Sequence, residues 1–250
     1  MDPSVITAVI LTRDEERNLP RALTSLPRGI RIFVLDAISR DHTVAFARGA
    51  GAQVVQREWT DFMDARRFAL AQVGTPWTLM IDADEALDDR LRDAILAAPA
   101  DGADAYRVRR TTYFSGKPMR IWSNEPLIRL FRTGRAKLEA HPAAASTAAV
   151  HATWSCDGDV RELRGTLLHY SYPDVASYRA KHERYTTLEA ERMKPSFFGW
   201  LIALAAVVPR LAWSLVARGA ALDGPRGWYV AYRSATYPEV AARKALLRQG

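Results

Sequence analysis

The chain has 250 residues, enough for one large domain or for one domain with an appendage. Hydrophobic residues make up 48% and charged residues 25%, which excludes a disordered chain, and a single cysteine, Cys156, excludes an internal disulfide and an all-cysteine zinc site. The net charge of +7 favours an anionic partner, whether nucleic acid, a phospholipid surface or a phosphorylated substrate, and does not choose among them.

The opening run MDPSVITAVILT has no basic segment and no long apolar stretch. It reads as a strand and not as a signal peptide, so a reducing, cytoplasmic location is expected. Residues 6–11 are a short β-branched apolar run, the mark of a buried strand. Leu19, Leu23 and Leu26 fall at helical spacing and predict a helix over 14–26. A second apolar run, 30–35, ends at Asp36; a short helix over 43–49 and a third strand over 53–56 follow. Residues 62–72 read as helix, 77–81 as a fourth strand ending at Asp82, and 87–98 as helix with Leu87, Leu91 and Ile95 on one face. Strands alternating with helices at this spacing imply βαβ units and a mostly parallel sheet.

Ligands of such sheets bind at the carboxyl ends of the strands. Three polar groups stand there: Thr12 to Glu15, Asp36, and Asp82 to Glu85. Asp82 and Asp84, two apart after a strand, can meet one hard cation. Magnesium or manganese takes oxygen ligands and shares its shell with substrate phosphates, so such an ion would neutralise a leaving diphosphate. The bland reading of the same residues is a solvated turn with a capping aspartate. Asp36 can accept from a ribose hydroxyl or a base N–H, while Ser39 or Asp41 caps the next helix. Thr12, Asp14 and Glu15 border the same cleft, with pure capping by Asp14 the alternative. Arg66 or Arg67, on the helix before the Asp82 strand, is placed to pair with a diphosphate; a solvent-facing arginine is the competing reading.

Beyond residue 100 the pattern loosens. Residues 105–131 read as strands and loops, and 136–152, alanine-rich with His141 and His151, as loop. Residues 177–192 read as helix. FFGWLIALAAVV, 197–208, is the most apolar stretch, followed by Pro209, Arg210 and LAWSLVA. Twelve uninterrupted apolar residues are short of the ~20 that span a bilayer. A buried core helix and an in-plane anchor both remain open; Trp200, Trp213, Trp228, Arg210 and Arg218 favour the anchor.

The runs AVILTRDEERNLPRALTSL, VLDAISRDHT and WTLMIDADE resemble glycosyltransferase family 2 with the GT-A fold. AYRVRRTTYFSGKPMR, PLIRLFRTGRA, VHATW, LLHYSYPDVASYRAKHERYTTLEAERM and LDGPRGWYVAY resemble its lipopolysaccharide-core β-glucosyltransferase branch. The resemblance implies a Rossmann-like catalytic domain over 1–172, with a nucleotide-sugar half (1–100) and an acceptor half (101–172), and a helical, membrane-associating appendage over 173–250. It implies a nucleotide-sugar donor, UDP-sugar favoured, a glycan or lipid-linked acceptor, peripheral attachment to the inner-membrane surface, and inverting transfer. It places Asp36 on the nucleoside with Thr12 and Glu15 nearby, Asp82 and Asp84 on metal and diphosphate, Arg66 on the donor phosphate, Arg129 in the acceptor region, and His169 and Tyr170 near the end of the catalytic domain.

The chain departs from the family in three places. Ala37-Ile38-Ser39 stands where Gly-Ser is common, Ala65 and Arg67 flank Arg66 where Gln and Asn are common, and Val150-His151-Ala152 stands where Val-His-Glu is common. The last removes the expected acceptor base. Inverting transfer needs a base on the attacking hydroxyl. Glu125, matching an acidic position in relatives, is the first candidate, with His151, Asp157 and Asp159 behind it. A nucleotidyltransferase would usually carry a glycine-rich phosphate loop after the first strand, and residues 12–20 hold no glycine. A degenerate, non-catalytic membrane-associated protein is the other alternative. No nucleic-acid-reading motif appears.

Overall fold

The computed structural model describes residues 1–59, 61–140 and 152–248, and the chain forms two compact units. The first comprises Met1–Arg110 and Asn124–Tyr170, the second Thr111–Ser123 and Ser171–Gly250.

The first unit opens with β1 (Ile6–Thr12), α1 (Leu19–Ser25), β2 (Arg31–Asp36), α2 (Thr43–Gly49), β3 (Gln53–Gln56), α3 (Phe62–Ala71) and β4 (Trp77–Asp82). Strands in the order β3-β2-β1-β4 pair in parallel. Side chains of β1 alternate between the two faces of the sheet. Ile6, Ala8 and Ile10 pack with Leu19 and Leu23 of α1, Ala47 of α2 and, further on, Leu91 and Ile95. Val9 packs on the opposite face with Phe33, Met80 and the α3 residues Ala65 and Ala69. Both faces are covered, so these strands read as continuous apolar runs.

After β4 come β5 (Glu85–Leu87), α4 (Asp89–Ala97), β6 (Ala105–Phe114), β7 (Lys117–Pro118), β8 (Glu125–Arg132), β9 (Lys137–Ala140), β10 (Ala152–Ser155) and β11 (Val160–Tyr172). The sheet continues β4-β8-β6-β11-β5, and β8 runs antiparallel to β4. The parallel half thus passes into an antiparallel half, and the sheet is mixed.

Three expected elements differ. The helix predicted over 14–26 begins only at Leu19: Asp14 stands at φ 53°, which a right-handed helix excludes, and the amides of residues 14–16 donate across the loop to Ser39, Thr43 and Asp41. Leu87 belongs to a strand and not a helix: it pairs with Leu167, and α4 starts after Asp88, which accepts from the Leu91 amide. The predicted loop over 136–152 holds β9 and the first residue of β10, and the two strands pair antiparallel; His141 and His151 lie outside the described residues.

The second unit carries α5 (Val175–Arg192), α6 (Phe197–Ala205), α7 (Val207–Val216) and α8 (Gly224–Leu247) around Phe114, Met119, Ile121, Tyr178, Ala220, Val230 and Ala231. Asp174 caps α5 through the Ser177 amide. Pro209 falls in the first turn of α7, where its missing N–H costs nothing. The apolar stretch is not a core helix: Phe198, Ile202, Val208, Trp213 and Val216 are exposed, Val216 by 82%. Phe197–Val216 is long and apolar enough, by length and composition alone, to cross a membrane, so the count of twelve uninterrupted residues understates it.

Candidate active site

The register of the parallel strands places four polar residues in a row at their carboxyl ends. Thr12 pairs with Asp36, Asp36 with Gln56, and Leu11 with Asp82. Asp36 is fully buried. Its Oδ1 accepts from the Thr12 hydroxyl at 3.0 Å and from the Ser39 hydroxyl; its Oδ2 accepts from the Ser39 amide at 2.8 Å and from Gln56 Nε2 at 3.1 Å. Those four bonds use the four acceptor positions of a carboxylate.

The loops after β1 and β2 are laced together. The Asp14 amide donates to Ser39 Oγ at 2.8 Å, and Asp14 Oδ1 accepts from the Arg40 amide at 2.7 Å. Asp14 sits at φ 53°, a left-handed conformation that Asp tolerates. The Glu15 amide donates to Thr43 Oγ1, and Glu15 Oε2 accepts from Asn18 Nδ2 at 2.9 Å. The carboxylates of Asp14 and Glu15 therefore brace this corner.

A second cluster forms where β4, β5, α3, β6 and β8 meet. Arg66 is the buried member of its arginine pair and Arg67 the exposed one. Its Nη2 lies 3.5 Å from Asp82 Oδ1. Arg129, also buried, donates to Asp82 Oδ2 at 3.0 Å and to Glu85 Oε1 at 2.6 Å. Glu85 is buried too, and its Oε2 accepts from the Asp82 amide at 2.9 Å. Arg110 then bridges Glu85, at 3.3 Å, to Glu125, at 2.6 Å. Charges alternate from Asp82 through Arg129, Glu85 and Arg110 to Glu125. Burial works against ionisation of Asp82, but Arg129, Arg66, His169 and Arg110 outweigh it and hold the carboxyl well below the ordinary range. Burial likewise works against the Arg129 charge and is outweighed by Glu85 and Asp82, which push its pKa up. Arg66 Nε, Arg66 Nη1 and Arg129 Nε are buried and have no hydrogen-bond partner among the described residues. Buried donors of this kind are built for an acceptor, and a guanidinium suits a phosphate or carboxylate.

Asp84 is differently placed. β11 runs beside β5 with His169 opposite Glu85, and this brings His169 Nε2 to 3.3 Å from Asp84 Oδ2. Among the described residues no arginine or lysine pairs with Asp84. Tyr170 donates its amide to the Asp84 carbonyl at 2.8 Å, and its ring carries Arg21 at 3.9 Å. Among the described residues no three His, Cys, Asp or Glu side chains converge on one metal position. Asp84 and His169 fit a divalent cation that completes its shell with phosphate and water. Asp82, already between two arginines, fits it less well than the paired reading of Asp82 and Asp84 expects.

Sequence reasoning passed over Arg110, Gln56 and Ser39 as site components and named Glu85 only as part of the acidic group without a role. Glu85 was visible as the fourth residue of the acidic turn; the others become neighbours only through strand register. Glu125 is the first residue of β8. Asp157 pairs with Lys137 and Asp159 with Arg161, both on the surface of the first unit.

The family model for Glycosyl transferase family 2 matches residues 7–152. Over 202 residues the chain is 30% identical to the lipopolysaccharide core biosynthesis glycosyltransferase LpsC of Rhizobium meliloti, a match spanning 76% of this chain and 72% of LpsC. It is 27% identical over 195 residues to an uncharacterised glycosyltransferase of Rickettsia prowazekii, covering 74% of this chain and 67% of that one. With an uncharacterised glycosyltransferase of Rickettsia felis the match is 36% identical over 91 residues and spans only 32% of that protein. Among solved structures, the mannosyltransferase PcManGT from Pyrobaculum calidifontis, in complex with GDP-Man and Mn2+, matches with a TM-score of 0.53 over 98% of this chain and 88% of that chain, at 17% identity. That likeness is one of fold.

Proposed function

This chain belongs to glycosyl transferase family 2, and we propose that it moves a sugar from a nucleoside-diphosphate donor, UDP-sugar favoured, to a glycan or lipid-linked acceptor of the lipopolysaccharide-core kind. The observation that carries this reading is the buried arginine pair at Asp82, with three guanidinium nitrogens that have no partner among the described residues. A diphosphate supplies the acceptors they lack. Arg66 and Arg129 hold it, and Asp82 fixes both guanidinium groups in place. Magnesium or manganese on Asp84, with His169 as second donor, would neutralise the charge that develops on the leaving diphosphate. The fold relative from Pyrobaculum calidifontis, crystallised with GDP-Man and Mn2+, supports a nucleotide sugar and a divalent ion here. Thr12, Asp36 and the braced corner of Asp14 and Glu15 form the nucleoside end.

On the acceptor side Glu125, oriented by Arg110, takes the proton from the attacking hydroxyl, and the reaction inverts the anomeric centre. His151, the other candidate base, lies outside the described residues. Calorimetric titration of UDP, GDP and ADP, each with and without manganese, tests the donor reading. Metal-dependent binding of one nucleotide names the donor class; failure of all three to bind removes the reading.

The second unit attaches the enzyme to the cytoplasmic membrane surface. Phe198, Ile202, Val208 and Val216 present an exposed apolar side, with Trp213 and Arg210 along the same two helices. Arg210 falls inside the apolar stretch, where a membrane-spanning helix would bury its charge in hydrocarbon at high cost. Lying in the interface leaves it among headgroups. Replacing Phe198, Ile202 and Val208 together with glutamate is expected to weaken flotation with anionic liposomes by roughly tenfold or more. Undiminished flotation of that variant rejects the anchor.

A further inference from the structure

Residues 197–222 contain two charged side chains, Arg210 and Arg218, and no carboxylate. The fold of the second unit brings both arginines to one cavity of about 410 Å³. Arg210, Trp213, Ser214 and Arg218 line it from α7 and the turn that ends α7, and Ser234 and Ala235 line it from α8. Arg210, Ser214 and Arg218 recur at intervals of four, so they stand in a row along one side of the chain there. The α8 side chains facing this row are small, which leaves the groove open.

Neither arginine has a carboxylate partner among the described residues. Asp223, the nearest acid in sequence, accepts the amides of Arg120 and Ile121 at 2.8 and 3.4 Å. Arg218 donates from Nη2 to the Ile121 carbonyl at 2.7 Å, which fixes the guanidinium and leaves its charge uncompensated. Two like charges on one cavity repel each other, and an anion shared between them offsets that cost. A guanidinium suits phosphate, which takes paired N–H donors. The rim says which phosphate. Trp213, itself a wall of the cavity, is 66% exposed, and Val208 and Val216 on the same helix are more exposed still. A free anion has no use for an apolar border, whereas a lipid headgroup carries acyl chains that cover it.

We propose that this groove binds the phosphate of one anionic glycerophospholipid molecule. Arg210 and Arg218 donate to the phosphate oxygens, Trp213 lies against the glycerol and the first acyl carbons, and Val208 and Val216 meet the chains. A zwitterionic lipid brings an ammonium beside the same two guanidinium groups and binds less well. The inference rests on the interfacial reading of the second unit and adds to it a single lipid in a fixed place. Nonspecific attraction of a basic helix to a charged surface needs no such place.

Monomeric lipid separates a site from surface attraction. Calorimetry on the full chain uses dihexanoyl phosphatidylglycerol below its micelle concentration, with dihexanoyl phosphatidylcholine and inorganic phosphate in parallel. One phosphatidylglycerol is expected per chain, with phosphatidylcholine and free phosphate each bound at least about tenfold more weakly. Arg210→Gln should raise Kd about tenfold, and Arg210→Gln with Arg218→Gln about a hundredfold. Arg210→Gln is the decisive variant, because Arg218 also holds the Ile121 carbonyl and its loss tests the fold as well. Arg179→Gln with Arg184→Gln removes the same charge from exposed positions on α5 and should leave Kd unchanged. An unchanged Kd in the groove variants, an equal loss in the α5 variant, or inorganic phosphate bound as tightly as the lipid overturns the site. Wild type that takes up no monomeric lipid but floats with anionic liposomes loses the site and keeps the anchor; wild type that also fails to float loses both.

Discussion

Asp84→Ala should retain the fold and lose sugar transfer by about 10³-fold or more, the consequence of removing several kcal/mol of charge stabilisation from the departing diphosphate. Asp84 is partly exposed, and His169 is the side chain in ion-pair range of it among the described residues, so its removal breaks no buried network. Nucleotide binding in the variant should lose its manganese dependence. Glu125→Gln supplies the contrast: metal-dependent nucleotide binding stays, and kcat falls by about 10²-fold, because only proton removal from the acceptor is impaired. Asp82→Asn differs from both. It leaves Arg66 and Arg129 without their shared counter-charge, so it should cost stability as well as turnover. Transfer and melting temperature measured on the three variants sort the roles, and an Asp84→Ala enzyme with near wild-type transfer rejects Asp84 as a metal ligand.

How far these roles could be read in advance depends on what sets each one. Thr12, Asp36 and Asp82 were legible because each ends a short apolar run, and the ends of parallel strands are where ligands sit. Arg66 was legible only as one of two. The helix phase, with Ala65 and Ala69 facing the sheet, turns Arg66 inward and Arg67 out. Gln56 gave no signal, since a glutamine at a strand end is ordinary and its place beside Asp36 comes from register. Ile38 gave a signal of another kind: an isoleucine where relatives commonly hold glycine. Only the φ angle says what that exchange means. Here the turn is left-handed at φ 56° and carries a side chain, held by the same bonds that brace Asp14 and Ser39.

The fold was legible to the same degree and for the same reason. Local periodicity defines β1 to β4 and α3. It fails at residues 13–17, where Asp14 adopts a left-handed conformation and the amides that follow donate across the loop, and at Leu87, whose strand character depends on Leu167 far along the chain. Arg110 and Glu125 likewise read as unrelated charges in sequence. Antiparallel pairing of β6 with β8 sets them opposite one another, and Arg110 reaches Glu85 from there.

Glu85→Ala should be the most destabilising single change in the site, by about 3–5 kcal/mol, which at this chain length lowers Tm by roughly 10 °C. Glu85 is buried, accepts from Arg129, Arg110 and the Asp82 amide, and has no exposure through which water could replace it. Its loss leaves Arg129 with excess buried charge and a backbone amide without an acceptor. The paired replacement Glu85→Leu with Arg129→Met removes both charges together and should recover much of that stability while abolishing transfer, which shows that the network is kept for its site and not for the fold. Acid sensitivity gives an independent reading through Asp82. Because its folded pKa is depressed, Asp82 contributes stability that is fully present above the ordinary carboxylate range and is lost as pH falls through the folded value. Arg129→Met removes the largest attractive contribution and lets that pKa rise. The stability gap between wild type and Arg129→Met is therefore widest near neutral pH and narrows as pH falls below about 4 toward the folded value, as urea unfolding across that acid range would show. A gap that stays constant or widens in acid means that Asp82 does not draw its charge stabilisation from Arg129, and the ordering of the whole chain of charges from Asp82 to Glu125 would have to be reassigned.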